Sequence, residues 1–402
     1  MKKTLTLLAV FIFSLSATSQ WNSLNTGLFG QKDYVEKDGT YFLINYPNGV
    51  QATTDLSTLN PLNNGLPVSG SNVFAESLGK SSTHVFCGTH DGVYRSDDLG
   101  SNWTLSNGNI PFSSTEFVKK FYEFNGDLYA VMNTDVGAGG GVFISTNSGN
   151  TWFGTAGGMG GNATILSIME YNSTLYANTN VALYTSSDWG ANWTAHPHFN
   201  YGVFAFWANV DVMVASTTIG MERSTDGGNN WTTVTGPTGL TNSDAIGLLG
   251  SIYISGSGAS QGVWISPDNG LTWIADNTGI SAVDQTTLYQ FYLGPDKLFL
   301  GAITEGYFKG VPLSVPNGTN LSSSINSYYD VNSNTITVRY TGTNYGNVSA
   351  TLYDLTGRKI EVLPLENELS KFQTTGLNTG IYIVQVNIDQ QNIAVPIKVV
   401  VP

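Results

Sequence analysis

Four acids, Asp33, Glu116, Asp244 and Asp284, stand where loops run into apolar stretches at comparable points of a recurring pattern. Two carboxyl groups about 5 Å apart would suit cleavage of a glycosidic bond with retention, and a gap of roughly 6.5–9.5 Å would suit inversion. Polar residues at such points also solvate a channel or cap a turn, so these acids are candidates for ligand contact and none is assigned to catalysis. His196-Pro197-His198 puts two imidazoles on one side of an extended loop, the way metal ligands are presented, but no Cys or carboxylate follows at ligand spacing. No metal and no cofactor is expected. His196 and His198 join the candidate ligand-binding residues, as does Tyr201, which leads into Phe204 and Trp207. The glycine-rich runs at 137–141 and 157–161 are followed by no Lys-Ser/Thr, so they read as loops and not as phosphate cradles.

What must position these residues is a repeated turn. Ser224, Asp226, Gly228 and Trp231 have the spacing Ser-x-Asp-x-Gly-x-x-Trp, and it returns at Ser96, Asp98, Gly100, Trp103; at Ser145, Asn147, Gly149, Trp152; at Ser186, Asp188, Gly190, Trp193; and at Ser266, Asp268, Gly270, Trp273. A hydroxyl and a carboxylate two residues apart can take up the N–H groups of a tight hairpin, and the glycine supplies a positive φ. Each Trp is expected to fill a gap between neighbouring sheets, where an indole removes roughly 150–250 Å² from water. The boxes therefore read as structural.

The box tryptophans lie 49, 41, 38 and 42 residues apart, which is the length of one four-stranded propeller blade. A degenerate repeat precedes them, with Asp55 as its acid and Asn60 at the Trp position. Trp21 resembles a lone outer strand, while 287–293, 297–303 and 306–311 supply three strands with no box. The fold class expected is all-β: a seven-bladed Asp-box β-propeller closed by the N-terminal strand, followed by a small immunoglobulin-like β-sandwich. Six and eight blades are the competing counts.

Composition agrees. The 402 residues are 41% apolar and 12% aromatic but only 11% charged, with 46 glycines, a balance of short strands and turns. A net charge of −13 opposes nucleic-acid binding. Residues 1–19 carry Lys2 and Lys3, an apolar run and small residues before Gln20, and read as a secretory signal peptide. No later stretch is apolar for long enough to span a membrane. The single cysteine, Cys87, falls in an expected strand and reads as a buried, inert thiol. The domains expected are 1–19, the leader; 20–315, the propeller; 316–329, a linker rich in Ser, Asn and Gly; and 330–402, a sandwich with strands near 335–340, 349–353, 359–362, 381–386 and 393–400.

The box pattern resembles the Asp-box, or BNR, repeats of sialidases, xyloglucan-degrading hydrolases, sortilin-type receptors and photosystem assembly propellers, over about residues 20–315. Those relatives share a fold and not an activity. Typical sialidases hold the substrate carboxylate with three arginines, whereas the expected propeller has only Arg95 and Arg223, both directly before a box Ser. Xyloglucan-degrading relatives work in a cleft between two propellers, and this sequence encodes one. The stretch Leu352-Tyr353-Asp354-Leu355-Thr356-Gly357-Arg358, with Thr375-Gly376-Leu377-Asn378-Thr379-Gly380-Ile381-Tyr382 and the terminal Ile397-Lys398-Val399-Val400, resembles the C-terminal sorting domain of the Bacteroidetes type IX secretion system. That resemblance implies contact with the type IX machinery through residues 330–402, export to the cell surface or beyond, and a tag that is commonly cleaved. An immunoglobulin-like module that stays attached is the alternative.

Three functions remain open from the sequence: a surface propeller that binds a glycan or an extracellular protein without catalysis, a glycoside hydrolase with paired carboxylates at the channel mouth, and a structural or assembly factor.

Overall fold

The computed structural model describes residues 20–24, 30–110, 112, 116–133, 141–154, 157–159, 163–209, 211–248, 251–294, 297–310, 325–330, 333–340, 348–354, 358–364, 369–378, 380–388 and 393–401. The leader expected at 1–19 and most of the linker lie outside them, as do parts of both glycine-rich runs.

Among the described residues, those between 20 and 310 form seven antiparallel four-stranded sheets. Sheet 1 starts with the strand Gln31–Lys37, sheet 2 with Ala75–Lys80, sheet 3 with Val118–Phe124 and sheet 4 with Ile165–Tyr171; Val203–Ala208, Leu240–Leu248 and Leu288–Leu293 start sheets 5 to 7. In sheets 1 to 6 the four strands follow one another in sequence. Sheet 7 takes its fourth strand from the other end of the chain, where Asn22 and Ser23 pair with Phe308 and Tyr307. Second strands such as Val85–Thr89 and Met213–Thr217 are buried at every residue, so they read as continuous apolar runs. The fourth strands are two or three residues long and largely exposed, too short to offer a long edge for pairing.

The apolar core is distributed between sheets. Phe42, Ile44 and Val50 of sheet 1 meet Leu78, Val85 and Trp103 of sheet 2. Similar clusters join each consecutive pair as far as sheets 6 and 7, where Trp21 packs with Tyr253, Val263 and Phe291. A further cluster joins the last sheet to the first through Phe299, Leu24, Tyr34 and Leu43.

The box turns are built as their residue types require. In the fifth sheet Ser224 Oγ donates to Asp226 Oδ1 at 2.8 Å and accepts the Gly228 N–H at 3.0 Å. Asp226 Oδ1 also accepts the Asn230 N–H at 2.9 Å, and Gly228 holds the positive φ of 87°. The other four turns repeat this, with Asn147 supplying an amide oxygen in place of the carboxylate. The serine is the buried member, and Asp98, Asp188 and Asp226 are exposed.

Two of the box tryptophans donate their indole N–H to the preceding sheet, while those of Trp193 and Trp273 are buried without a partner among the described residues. Trp103 Nε1 donates to the Leu62 carbonyl at 2.8 Å and Trp152 Nε1 to that of Ser106 at 2.9 Å. Trp21 does the same across the chain ends, with its indole donating to Asp276 O and its backbone N–H to Thr278 O, both at 2.9 Å. Trp21 thus occupies in sheet 7 the place of a box tryptophan. Trp231 departs from the pattern: it is less buried and donates to its own turn at Gly228.

The C-terminal part forms a three-stranded sheet of Ile325–Asp330, Thr335–Tyr340 and Leu369–Gln373, and a four-stranded sheet of Lys359–Pro364, Val348–Asp354, Gly380–Ile388 and Ile393–Val401. Ile336, Val338, Leu352, Phe372 and Val384 are buried between them. Two of these strands were not expected. Ile325–Asp330 begins inside the stretch read as a linker, and Leu369–Gln373 is short and only half apolar.

Candidate binding site at the mouth of the channel

Every first strand of the seven sheets carries a register shift near its start, between Gln31 and Tyr34, Ala75 and Ser77, Val118 and Lys120, Ile165 and Ser167, Val203 and Ala205, Thr241 and Asp244, and Leu288 and Phe291. A bulge adds an unpaired residue and re-aims its side chain. At the end of the strands opposite the box turns, these bulges supply Lys32, Glu76, Lys119, Leu166, Ser243 and Tyr289 to the wall of one cavity of about 470 Å³. Phe117, Lys120, Asp244 and Gln290 complete much of the lining.

The charges of this wall are arranged in pairs. Glu76, almost fully buried, bridges the Lys32 ammonium and His90 Nε2, the latter at 2.9 Å. Lys32 also lies 3.9 Å from the centre of the Tyr46 ring, and His90 stacks on Phe117 at 5.0 Å. Asp244 Oδ2 lies 3.4 Å from the Lys120 ammonium and accepts the Phe291 N–H at 2.9 Å. Burial opposes the Lys120 charge, yet Asp244 beside it, with Tyr122 and Asp33 further off, holds the proton on well above the ordinary lysine range. Lys119 has neither an ion pair nor a hydrogen bond among the described residues. Burial, reinforced by the Lys120 charge and eased by Asp244, brings its ammonium down to about 8.

Asp33 lies deeper. Its Oδ1 accepts the Tyr34 N–H and its Oδ2 the Leu78 N–H, each at 2.8 Å, tying sheet 1 to sheet 2 as Asp244 ties sheet 6 to sheet 7. Burial raises its carboxyl to about 7, against the pull of those N–H groups and of Lys120.

Of the acids singled out in the sequence, Asp244 is on the cavity wall and Asp33 beneath it, next to Lys120. Glu116 directly precedes the wall residue Phe117 without being among those that line the cavity. Asp284 is elsewhere, in a knot where its carboxylate accepts from Ser281 Oγ, Thr304 Oγ1 and the Tyr307 hydroxyl at 2.7–2.8 Å. Burial works to raise its pKa, but the Tyr307 and Thr304 hydrogen bonds and that of Ser281 win and keep it low. A carboxylate so engaged holds the 3-10 turn Asp284–Thr286 against sheet 7.

His198 and Tyr201 come together away from this cavity, on a partner absent from the sequence reading. Buried Glu222 accepts from the Tyr201 hydroxyl and meets His198 Nε2, each at 2.8 Å. His198 stacks on Trp231 at 5.9 Å, and His196 meets the same indole edge-on. Burial, then the neighbouring His198, lowers the His196 pKa, while burial and the bond to Glu222 push the Tyr201 hydroxyl up. In other repeats an asparagine at this point, such as Asn107 or Asn277, accepts the N–H of the facing hairpin. Here imidazoles and Trp231 fill the gap. Among the described residues no cluster of His, Cys, Asp or Glu has metal-ligand geometry. Cys87 is fully buried, and burial drives its thiol pKa up.

The lysines were missed. Their signal was available: Lys32-Asp33 and Lys119-Lys120 are adjacent charged pairs at the second and third positions of a strand.

These features define a β-propeller protein with a secretion tail. Residues 101–244 match the family model described as the DUF6242 beta propeller domain, and residues 332–401 match the secretion system C-terminal sorting domain. The tail indicates export by the type IX system to the cell surface or beyond. No helix among the described residues is long and apolar enough to cross a membrane. No curated protein matches the sequence. Among solved structures the chain is similar to PorZ, an essential surface component of the type IX secretion system of Porphyromonas gingivalis, at 13% identity and a TM-score of 0.51 over 94% of this chain and 59% of that one. It is also similar to an ancestral GH74 enzyme, at 14% identity and a TM-score of 0.53 over 94% of this chain and 63% of the enzyme. The chain therefore spans about three-fifths of the length of either, and at such identities the likeness is one of fold.

Proposed function

We propose that this protein is an exported, surface-displayed propeller that binds a glycan at the channel mouth without catalysing its cleavage. Its seven sheets are the blades of one ring, closed by the pairing of Asn22–Ser23 with the last blade, and its Ser-Asp-Gly-Trp turns are Asp boxes with a structural role. A leader over 1–19 precedes the ring, and a sorting domain that takes in the strand Ile325–Asp330 follows it and engages the type IX machinery.

One observation carries the binding reading: the bulge residues build a cavity of about 470 Å³ with the half-buried rings of Phe117 and Tyr289 in its wall, while Glu76 and Asp244 are neutralised by lysines. Aromatic faces and fixed hydrogen-bonding groups suit a sugar, whereas a general base needs a carboxylate free to take a proton. The purified full chain should bind members of a soluble oligosaccharide panel and release no reducing sugar from them. Binding lost on substitution of Phe117 and Tyr289 supports the site, and failure of every saccharide to bind contradicts it.

Asp33 favours a second reading. A carboxyl kept protonated near neutrality is what acid catalysis uses, and Lys120 interacts with both it and Asp244. If the chain hydrolyses a polysaccharide and Asp33→Asn or Asp244→Asn abolishes the activity, this hydrolase reading replaces the first.

A further inference from the structure

The charges on the cavity wall do not cancel. Lys32 is matched by Glu76 and Lys120 by Asp244, which leaves the Lys119 ammonium as the surplus. This local excess is positive in a chain whose net charge is −13. Of the other carboxylates near it, Asp33 is spent on the Tyr34 and Leu78 N–H groups, and Glu116 is not among the residues that line the cavity. Among the described residues the half-buried Lys119 ammonium has no acceptor, so its burial costs hydration without a compensating pair.

We propose that the channel mouth takes an acidic saccharide, one sugar carboxylate of which pairs with Lys119. The inference rests on the glycan-binding reading and specifies its ligand. The rings of Phe117 and Tyr289 in the same wall favour a sugar over an acidic peptide, since an aromatic ring beside the charge suits the C–H face of a pyranose. A single surplus lysine pairs with one carboxylate at a time.

Titration calorimetry on the full chain tests this with oligogalacturonate, oligomannuronate and hyaluronan fragments, each beside its neutral methyl ester. At least one acid form should bind about tenfold or more tighter than its ester, the worth of one charge-assisted pair. Lys119→Met should bring that acid down to the level of its ester, and Lys119→Arg should keep the preference. Thermal melts of each variant establish that the fold is intact. Esters that bind as well as acids overturn the proposal while leaving glycan binding in place, as does a preference that survives in Lys119→Met. If no saccharide binds, charged or neutral, both readings fail; an acidic peptide that binds where saccharides do not assigns the mouth to another class of partner.

Discussion

Replacing Lys119 by methionine should stabilise the protein. The ammonium is half-buried, lacks an ion pair, and faces Lys120 on its own strand, so the folded state holds its proton less firmly than the unfolded chain. The shift from 10.5 to about 8 corresponds to roughly 3 kcal/mol at about 1.4 kcal/mol per unit. Water in the cavity screens part of that, leaving an expected gain of about 1–3 kcal/mol at pH 7, with little change in packing because Met keeps the length of the stem. Below pH 8 both states of the wild type are protonated and the penalty is complete. Between about 8 and 10.5 the folded ammonium deprotonates first, so wild-type stability rises with pH relative to the variant and the gap closes. Urea unfolding of the two proteins at pH 7, 8, 9 and 10 measures both effects. A variant less stable than wild type at pH 7, or a difference that stays constant up to pH 10, would refute the assignment of Lys119 as an unpaired buried charge.

Three further outcomes follow from the fold. Ser224→Ala removes the buried acceptor of the Gly228 N–H and should cost about 1–3 kcal/mol in urea unfolding, with saccharide affinity unchanged; a weakened affinity in a folded variant would give the box a role in binding. Gly279→Ala puts a methyl group 2.0 Å from the Trp21 carbonyl oxygen at a φ of 97°, so it should loosen the N-terminal strand and expose residues near Trp21 to proteolysis. Unchanged cleavage would argue against closure through Trp21. A chain ended near residue 315 should remain in the periplasm while the full chain reaches the surface, and normal delivery of the shortened chain would remove the sorting role from the tail.

Much of this architecture was legible because it repeats. The interval between tryptophans marks one sheet per period, and the absence of a box after 306–311 pointed to Trp21 before any strand was placed. The Ser-Asp-Gly part of the box could be read locally, since its hydrogen bonds lie within five residues, although the sequence did not separate the buried serine from the exposed acid. The indole bonds of Trp103 and Trp152 reach 41 and 46 residues back. The cavity wall was less legible. A bulge depends on the register of two strands, which residue types alone do not set, so Lys32, Glu76 and Lys119 looked like interruptions of alternation. Asp33 and Asp244 were found as acids on the right end of the strands, but their N–H donors, Leu78 and Phe291, are 45 and 47 residues away. Glu222 escaped notice because it lies on a third strand, and it was the fold that brought His198 and Tyr201 to it. In the tail, Leu369–Gln373 is polar at Ser370, Lys371 and Gln373, with no clean alternation, and gains its identity as a strand from pairing with Thr335–Tyr340.

The central claim is that the bulge-lined mouth, and not the box face, is where this exported propeller meets a glycan. Titration of the best-binding saccharide into the full chain and into Phe117→Ala/Tyr289→Ala, with both folds verified by thermal melting, tests it directly. Loss of two aromatic faces should weaken binding by about tenfold or more. An affinity equal to that of the wild type would place the glycan elsewhere on the molecule and contradict the account.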